Sequence, residues 1–391
     1  MKDEYMKRAN CILILLIVVM GCKKPYTPPV ITAPSNYLVV EGVINAGLDS
    51  TVIKLSRTVN LSSAVTINPE PGAIVTVESD QNSIYPLTET KKGYYMAEGL
   101  NLDNTRNYRL RIKTADGQQY LSDFVPVKVT PPIDSVGFTV QNNGIQLYAN
   151  THDPNNNTHY YRWDYNETWE FHAKYESVYI TNGTAIVERT PAQMTYYCFA
   201  NDTSSTIVLG SSAKLKQDVI YQNPLTAVTS TSEKVEMEYS IQVHQYALTG
   251  DAYTFWQNLK NNTEQLGGIF DAQPSQINGN IHNTNNPAEP VIGYVSACTI
   301  QTKRVFISVA QLPGAWITTY PYECEQDSIL YCKGALCENE VKEFLVPLGS
   351  SQIPVYAIPV GAIFPTGFMA SDNDCTDCTI RGATKQPAFW K

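Results

Sequence analysis

From residue 36 onward, apolar and polar positions alternate with a period of two over most of the chain. Tyr108, Leu110 and Ile112 are separated by Arg109, Arg111 and Lys113. In an extended chain that spacing sends the apolar set to one side and the charged set to the other, the pattern of a half-buried strand. Asp116-Gly117 then supplies a tight turn, and 120–125 reads as the return strand. Similar short runs at 37–44, 51–57, 72–78, 83–87 and 93–97 bring the total to about seven strands, with no helical period among them. Leu102 followed by Tyr108 at the head of a strand fits a tyrosine corner, in which the phenol bonds backbone across a β-arch. Residues 36–130 are therefore expected to form an Ig-like β-sandwich, and Pro131-Pro132 marks its end.

Alternation resumes in 131–391, at 133–140, 144–150 and 159–172. The longest clean example sets Val235, Met237, Tyr239, Ile241 and Val243 against Glu236, Glu238, Ser240, Gln242 and His244. The period then changes. Ala252, Phe255, Trp256 and Leu259 sit at i, i+3, i+4 and i+7, which predicts one helix at about 250–264. Thr249 or Asp251 would cap its start, Gly267-Gly268 would end it, and its aromatic stripe reads as core. Residues 271–290 read as a polar loop, long enough to suggest a functional one. Strands are expected again at 291–300 and 303–310, and 311–391 as an irregular, Cys- and Pro-rich wrap. The expected fold is mostly β: an N-terminal Ig-like β-sandwich, then a larger β-rich domain over 131–391 with one inserted helix.

The N-terminus follows a different pattern. Lys2, Lys7 and Arg8 precede an unbroken apolar run from Cys11 to Met20. Ten residues suit a signal-peptide core and fall short of a membrane span. Val19-Met20-Gly21-Cys22 resembles the lipobox of bacterial lipoproteins: a small Gly21 for the peptidase, and a Cys22 thiol to accept diacylglycerol. Residues 1–21 thus predict a lipoprotein signal peptide. Cys22 is the expected lipidation site and membrane anchor, each buried CH₂ contributing about 0.8 kcal/mol. Pro25, Pro28, Pro29 and Pro34 make 22–35 an extended tether of roughly 40 Å. Lys23 stands where an Asp would retain a lipoprotein at the inner membrane, so the expected location is the outer membrane. A net charge of -9 without basic clusters argues against a nucleic-acid partner.

Of nine cysteines, Cys11 leaves with the signal peptide and Cys22 is acylated, so seven enter an oxidising compartment. Cys324, Cys332, Cys337, Cys375 and Cys378 are the disulfide candidates, with the pairing open. The odd count leaves a thiol, Cys198 or Cys298. Cys375-x-x-Cys378 has a zinc half-site and a redox pair as weaker alternatives. Trp163, Tyr165 and Trp169 lie in an aromatic-rich stretch and are ligand-stacking candidates, with a packed core as the competing reading. Asp153-Pro-Asn155-Asn-Asn157, with Asp164 at the twelfth position, faintly resembles a calcium loop, but Thr158 occupies the glycine position, and a plain Asn-rich turn is the competing reading. Serine-nucleophile and phosphate-loop motifs are missing. No cofactor, metal or catalytic residue is expected. An enzyme reading would rest on Glu167, Glu170 and His172.

Several stretches together resemble a Bacteroidota lipoprotein family, the domain of unknown function 4249. They include the lipobox at Cys22, Leu38-Val39-Val40-Glu41-Gly42, Pro132-Ile133-Asp134-Ser135, Tyr161-Arg162-Trp163 and Glu167-Thr168-Trp169-Glu170. Further along come Tyr239-Ser240-Ile241 with Gln245, Ala252-Tyr253-x-Phe255-Trp256, Glu289 to Tyr294, Arg304 to Ile307, and Cys375-x-x-Cys378 with its flanking Arg381-Gly382. The resemblance implies an outer-membrane lipoprotein encoded beside TonB-dependent receptors, and it implies no catalytic residue. Lys23-Lys24 replace the acidic residues of surface-exported relatives, so periplasmic and surface-facing placements both stay open. The expected function is a non-enzymatic accessory to such a receptor in nutrient capture. A self-standing adhesive or structural envelope protein is the alternative, and a secreted carbohydrate- or peptide-active enzyme comes third.

Overall fold

The computed structural model describes residues 36–59, 67–264 and 279–391. The signal peptide, Cys22, the tether and Gly267-Gly268 lie outside the described residues. Alternation over the first part of the chain becomes nine strands: β1 (Leu38–Asn45), β2 (Thr51–Arg57), β3 (Asn68–Pro69), β4 (Ile74–Ser79), β5 (Ile84–Lys91), β6 (Tyr94–Ala97), β7 (Asn107–Lys113), β8 (Gln119–Ser122) and β9 (Val125–Lys128). Tyr108, Leu110 and Ile112 point inward and are buried, as their spacing requires. The Tyr108 hydroxyl accepts from the Asp103 N–H at 3.0 Å and donates to the Asp103 carbonyl at 3.3 Å, which makes the tyrosine corner. Tyr108→Phe should cost about 1 kcal/mol, because it removes both hydrogen bonds of the phenol to Asp103 backbone; the shift in urea unfolding measures it.

The sheet does not stay open. Antiparallel pairing runs β1–β2–β6–β5–β4–β7–β9. Residues Ala297–Cys298 then pair in parallel with both β9 and β1. The result is a barrel-like ring of 8 strands where the sequence predicts an Ig-like sandwich. Unpaired strand edges are a liability, and the segment leading into Ala297 covers the edge of β1. Val40 N–H donates to Ile292 O at 2.8 Å, Ile292 N–H to Leu38 O at 2.9 Å, and Ile44 N–H to Ser296 O at 2.9 Å. Strand Ile281–Asn283 extends the same sheet beside β8. The described part of the expected loop, 279–290, therefore includes a strand. Residues 281–298, which the sequence places in the second domain, complete the first.

The second unit is the sandwich. Strands Ile133–Gln141, Gly144–His152 and Val219–Thr229 form one sheet. Tyr197–Thr203, Tyr160–His172, Glu238–Ala247 and Ile300–Ser308, with Val208–Ser211 at one end, form the other. Tyr161, Trp163, Tyr239 and Ile241 pack against Ile145, Leu147 and Val228 between them. Gln245 is fully enclosed and fully used. It accepts from Trp163 Nε1 at 2.8 Å and donates to Pro131 O at 2.8 Å and Thr151 Oγ1 at 2.9 Å. Val235 falls before its strand, in a short 3₁₀ turn at Glu233–Val235.

Helix α1 (Gly250–Glu264) forms where the period changes, and Thr249 is its cap, with Oγ1 accepting from Ala252 N–H at 3.2 Å. Among the described residues, no helix is long and apolar enough to cross a membrane. The C-terminal stretch is more than a wrap. Strands Asp327–Leu330, Gln352–Ile358 and Gly367–Asp372 form a sheet whose core includes Ile329, Leu345 and Phe368.

All five disulfide candidates are bonded, as Cys324–Cys375, Cys332–Cys337 and Cys198–Cys378. Cys375 and Cys378 go to different partners, and Asp377 between them is extended, at φ -125° and ψ 103°. Among the described residues Cys298 is the free thiol; burial pushes its pKa up to about 12, so it stays protonated.

Candidate functional site

The stacking candidates do not form an open platform. Trp163, Tyr165 and Trp169 are 1 %, 5 % and 7 % exposed in the sandwich core. Their indole N–H groups are also engaged, Trp163 by Gln245 and Trp169 by Glu233 Oε1 at 3.2 Å. The period of two explains this: the row carrying Tyr161, Trp163 and Tyr165 is the row facing the opposite sheet. The same period turns Arg162 and Asp164 outward, toward the barrel.

There they meet a cleft of about 690 Å³ between the two units. Its walls are Val39–Gly42 of β1, Phe255, Trp256 and Leu259 of α1, the hydroxyl-rich 203–206 turn, and Ile292–Tyr294. A second cleft of about 560 Å³ shares Gly42, Arg162 and Asp164 and continues to Gln242, His244 and Thr302. Gly293 holds a positive φ of 142°, and a Cβ there would sit 2.2 Å from Val40 O, so only glycine lets this wall lie against β1.

Arg162 is the centre of the arrangement. Its guanidinium carbon lies 4.4 Å from the ring centroids of both Tyr246 and Trp256, so two aromatic rings hold the cation. Nη2 is 3.4 Å from Asp164 Oδ2, while Asp164 Oδ1 is 2.8 Å from His244 Nδ1. Burial opposes the charge on Asp164, but the His244 hydrogen bond and the Arg162 charge outweigh it and hold the carboxyl below its usual range. Stability from this group is therefore complete above its unfolded pKa and is lost as pH falls through the lowered value. Burial and the Asp164 charge push the Tyr246 hydroxyl well up. Arg162 Nε is enclosed without a hydrogen bond.

The remaining candidates keep separate partners. Glu167 is buried and accepts from Tyr239 Oη and Lys234 Nζ, each at 2.6 Å. Glu170 lies opposite Glu238, and burial with that like charge raises its pKa. His172 stacks on Tyr196 at 4.9 Å and faces Glu236 at 3.5 Å. Asp153 accepts from the N–H groups of Asn155, Asn157 and Thr158, the bonding of an Asx turn. The described residues hold no cluster of three or more metal-ligating side chains.

Sequence reasoning assigned no site role to Arg162, Trp256 or Tyr294, and considered Asp164 only as the twelfth position of the faint calcium loop. The available signal was the set of resemblance stretches. Parts of four of them, Val39–Gly42, Arg162–Trp163, Phe255–Trp256 and Ile292–Tyr294, are far apart in sequence and line this one cleft.

No curated protein matches the chain. Among solved structures, the FN1–FN3 domains of chicken CNTN1 match 55 % of this chain at 14 % identity with a TM-score of 0.17. The BSP domain of a biofilm associated protein matches 72 % at 8 % identity with a TM-score of 0.12. The match covers 63 % and 62 % of those chains. The domain of unknown function DUF4249 matches residues 23–304, so the chain belongs to that family.

Proposed function

We propose that this protein is an outer-membrane lipoprotein, anchored through Cys22, that captures a ligand in the inter-unit cleft as accessory to a TonB-dependent receptor. The convergence of four resemblance stretches on that cleft carries the capture reading. Each of the four has members buried in a core, such as Leu38, Tyr161, Ala252 and Val291, and others, Glu41, Arg162, Trp256 and Ile292, that line this solvent-reachable cleft. The anchor reading rests on Val19-Met20-Gly21-Cys22 and on Lys23 in place of an acid. Affinity purification from solubilised outer membranes is the test. It should recover a TonB-dependent receptor with the wild-type protein, and recovery should drop when Cys22→Ala removes the anchor. Purification that brings down no such receptor would sink the accessory role.

A further inference from the structure

We propose that the cleft takes an amphipathic organic acid, its carboxylate on Arg162 and its apolar body against Trp256, Leu259, Ile292 and Tyr294. This deepens the capture reading and rests on it. The rings of Tyr246 and Trp256 both pack against the guanidinium and hold it in place, and its N–H edge is left for hydrogen bonding. One part of that edge makes the long 3.4 Å contact to Asp164. Nη1 has no hydrogen-bond partner among the described residues and, unlike Nε, is not enclosed. A guanidinium fixed in this way presents a planar donor edge suited to a carboxylate.

Charge around the cleft does not oppose an anion. Glu41 is paired with Lys54 at 2.9 Å. Glu264 is 3.8 Å from Lys260 and accepts from Ile207 N–H at 2.6 Å. Asp164 is shared between Arg162 and His244. The acids thus have their own partners, and Arg162 keeps an unused donor. The neighbouring wall is apolar: Ile292 is 36 % exposed, and Trp256, Leu259 and Tyr294 are part-buried along the same cleft. A small inorganic anion would leave that wall wet, whereas an acid with a hydrocarbon or aromatic body covers it.

Calorimetric titration of the detergent-solubilised full-length protein tests this, with protein-free micelles as the blank. The probes are hexanoate and 3-phenylpropionate, each beside its neutral alcohol, hexanol and 3-phenylpropanol. At least one acid should bind about tenfold or more tighter than its alcohol. Arg162→Met should weaken the acid about 10- to 100-fold and leave the alcohol unchanged. Leu259→Glu, on a part-buried turn of α1, should weaken the acid about tenfold while the melting temperature holds. Binding of hexanoate alone assigns an aliphatic acid, and binding of 3-phenylpropionate alone an aromatic one. The inference is overturned if alcohols bind as well as acids, if both variants bind acid as the wild type does, or if no probe binds. Receptor recovery is measured separately, so a receptor found without acid binding rejects the ligand class and leaves the accessory role standing.

Discussion

Replacing Cys198 and Cys378 together by alanine should lower the unfolding free energy by about 5 kcal/mol, against about 2 kcal/mol for the Cys332 and Cys337 pair. The first bridge joins residues 180 apart and the second residues 5 apart. Closing a longer loop removes more conformational freedom from the unfolded chain, so the ranking follows from separation. The long bridge also ties the C-terminus to an edge strand. Phe199 N–H donates to Ala383 O at 2.8 Å and Ala383 N–H returns to Phe199 O at 2.9 Å, so the tail covers the free side of Tyr197–Thr203. Losing the bridge loosens that cover and exposes a strand edge to other chains. Guanidinium unfolding of the two double variants measures the difference. Equal losses would show that chain entropy is not what these bridges contribute.

Gly293→Ala should cost about 3 kcal/mol or more and open the barrel along β1. Two penalties add. A φ of +142° is strained for any residue with a Cβ, and the Cβ itself would lie 2.2 Å from Val40 O and 3.2 Å from Val40 Cβ. Backbone cannot yield there without breaking the Val40–Ile292 and Leu38–Ile292 hydrogen bonds. Gly117→Ala is the control, since Gly117 also has a positive φ of 89° but its Cβ would meet nothing within 4 Å. It should cost only about 1 kcal/mol, the conformational part alone. Amide exchange at Val40 and Ile44 should accelerate in the first variant and not in the second. Matching losses in the two variants would mean that 292–298 is not held tightly on β1.

Local pattern carried a large part of the architecture. Period two in 107–113, 160–172 and 238–247 placed strands correctly, because each of those strands buries one face and wets or pairs the other. Helix α1 was equally legible, since its apolar spacing and its Thr249 cap are both local. The C-terminal sheet was not, because its strands are short and broken by loops and disulfides, so no window holds enough alternation to show a period. Closure of the barrel was also hidden. It depends on Ala297 and Cys298, two residues whose role is set by pairing with β1 and β9.

The site shows the same division. Counting aromatics drew attention to Trp163, Tyr165 and Trp169, yet these fill the core. Their neighbours Arg162 and Asp164 become exposed to the cleft only because the barrel and α1 stand opposite that face of the strand. Nothing in the 160–172 sequence says what lies across from it.

By itself the sequence determined the mostly-β class, the position of helix α1 and the tyrosine corner. It also set the short list of cysteines. These follow from periodicity, capping and residue type, which act over a few residues. Tertiary structure alone decided that the first sheet closes, that Cys298 rather than Cys198 stays free, and that Arg162 packs against Tyr246 and Trp256. Each of those depends on partners about 80 to 250 residues away, and only the packing of the folded chain chooses them.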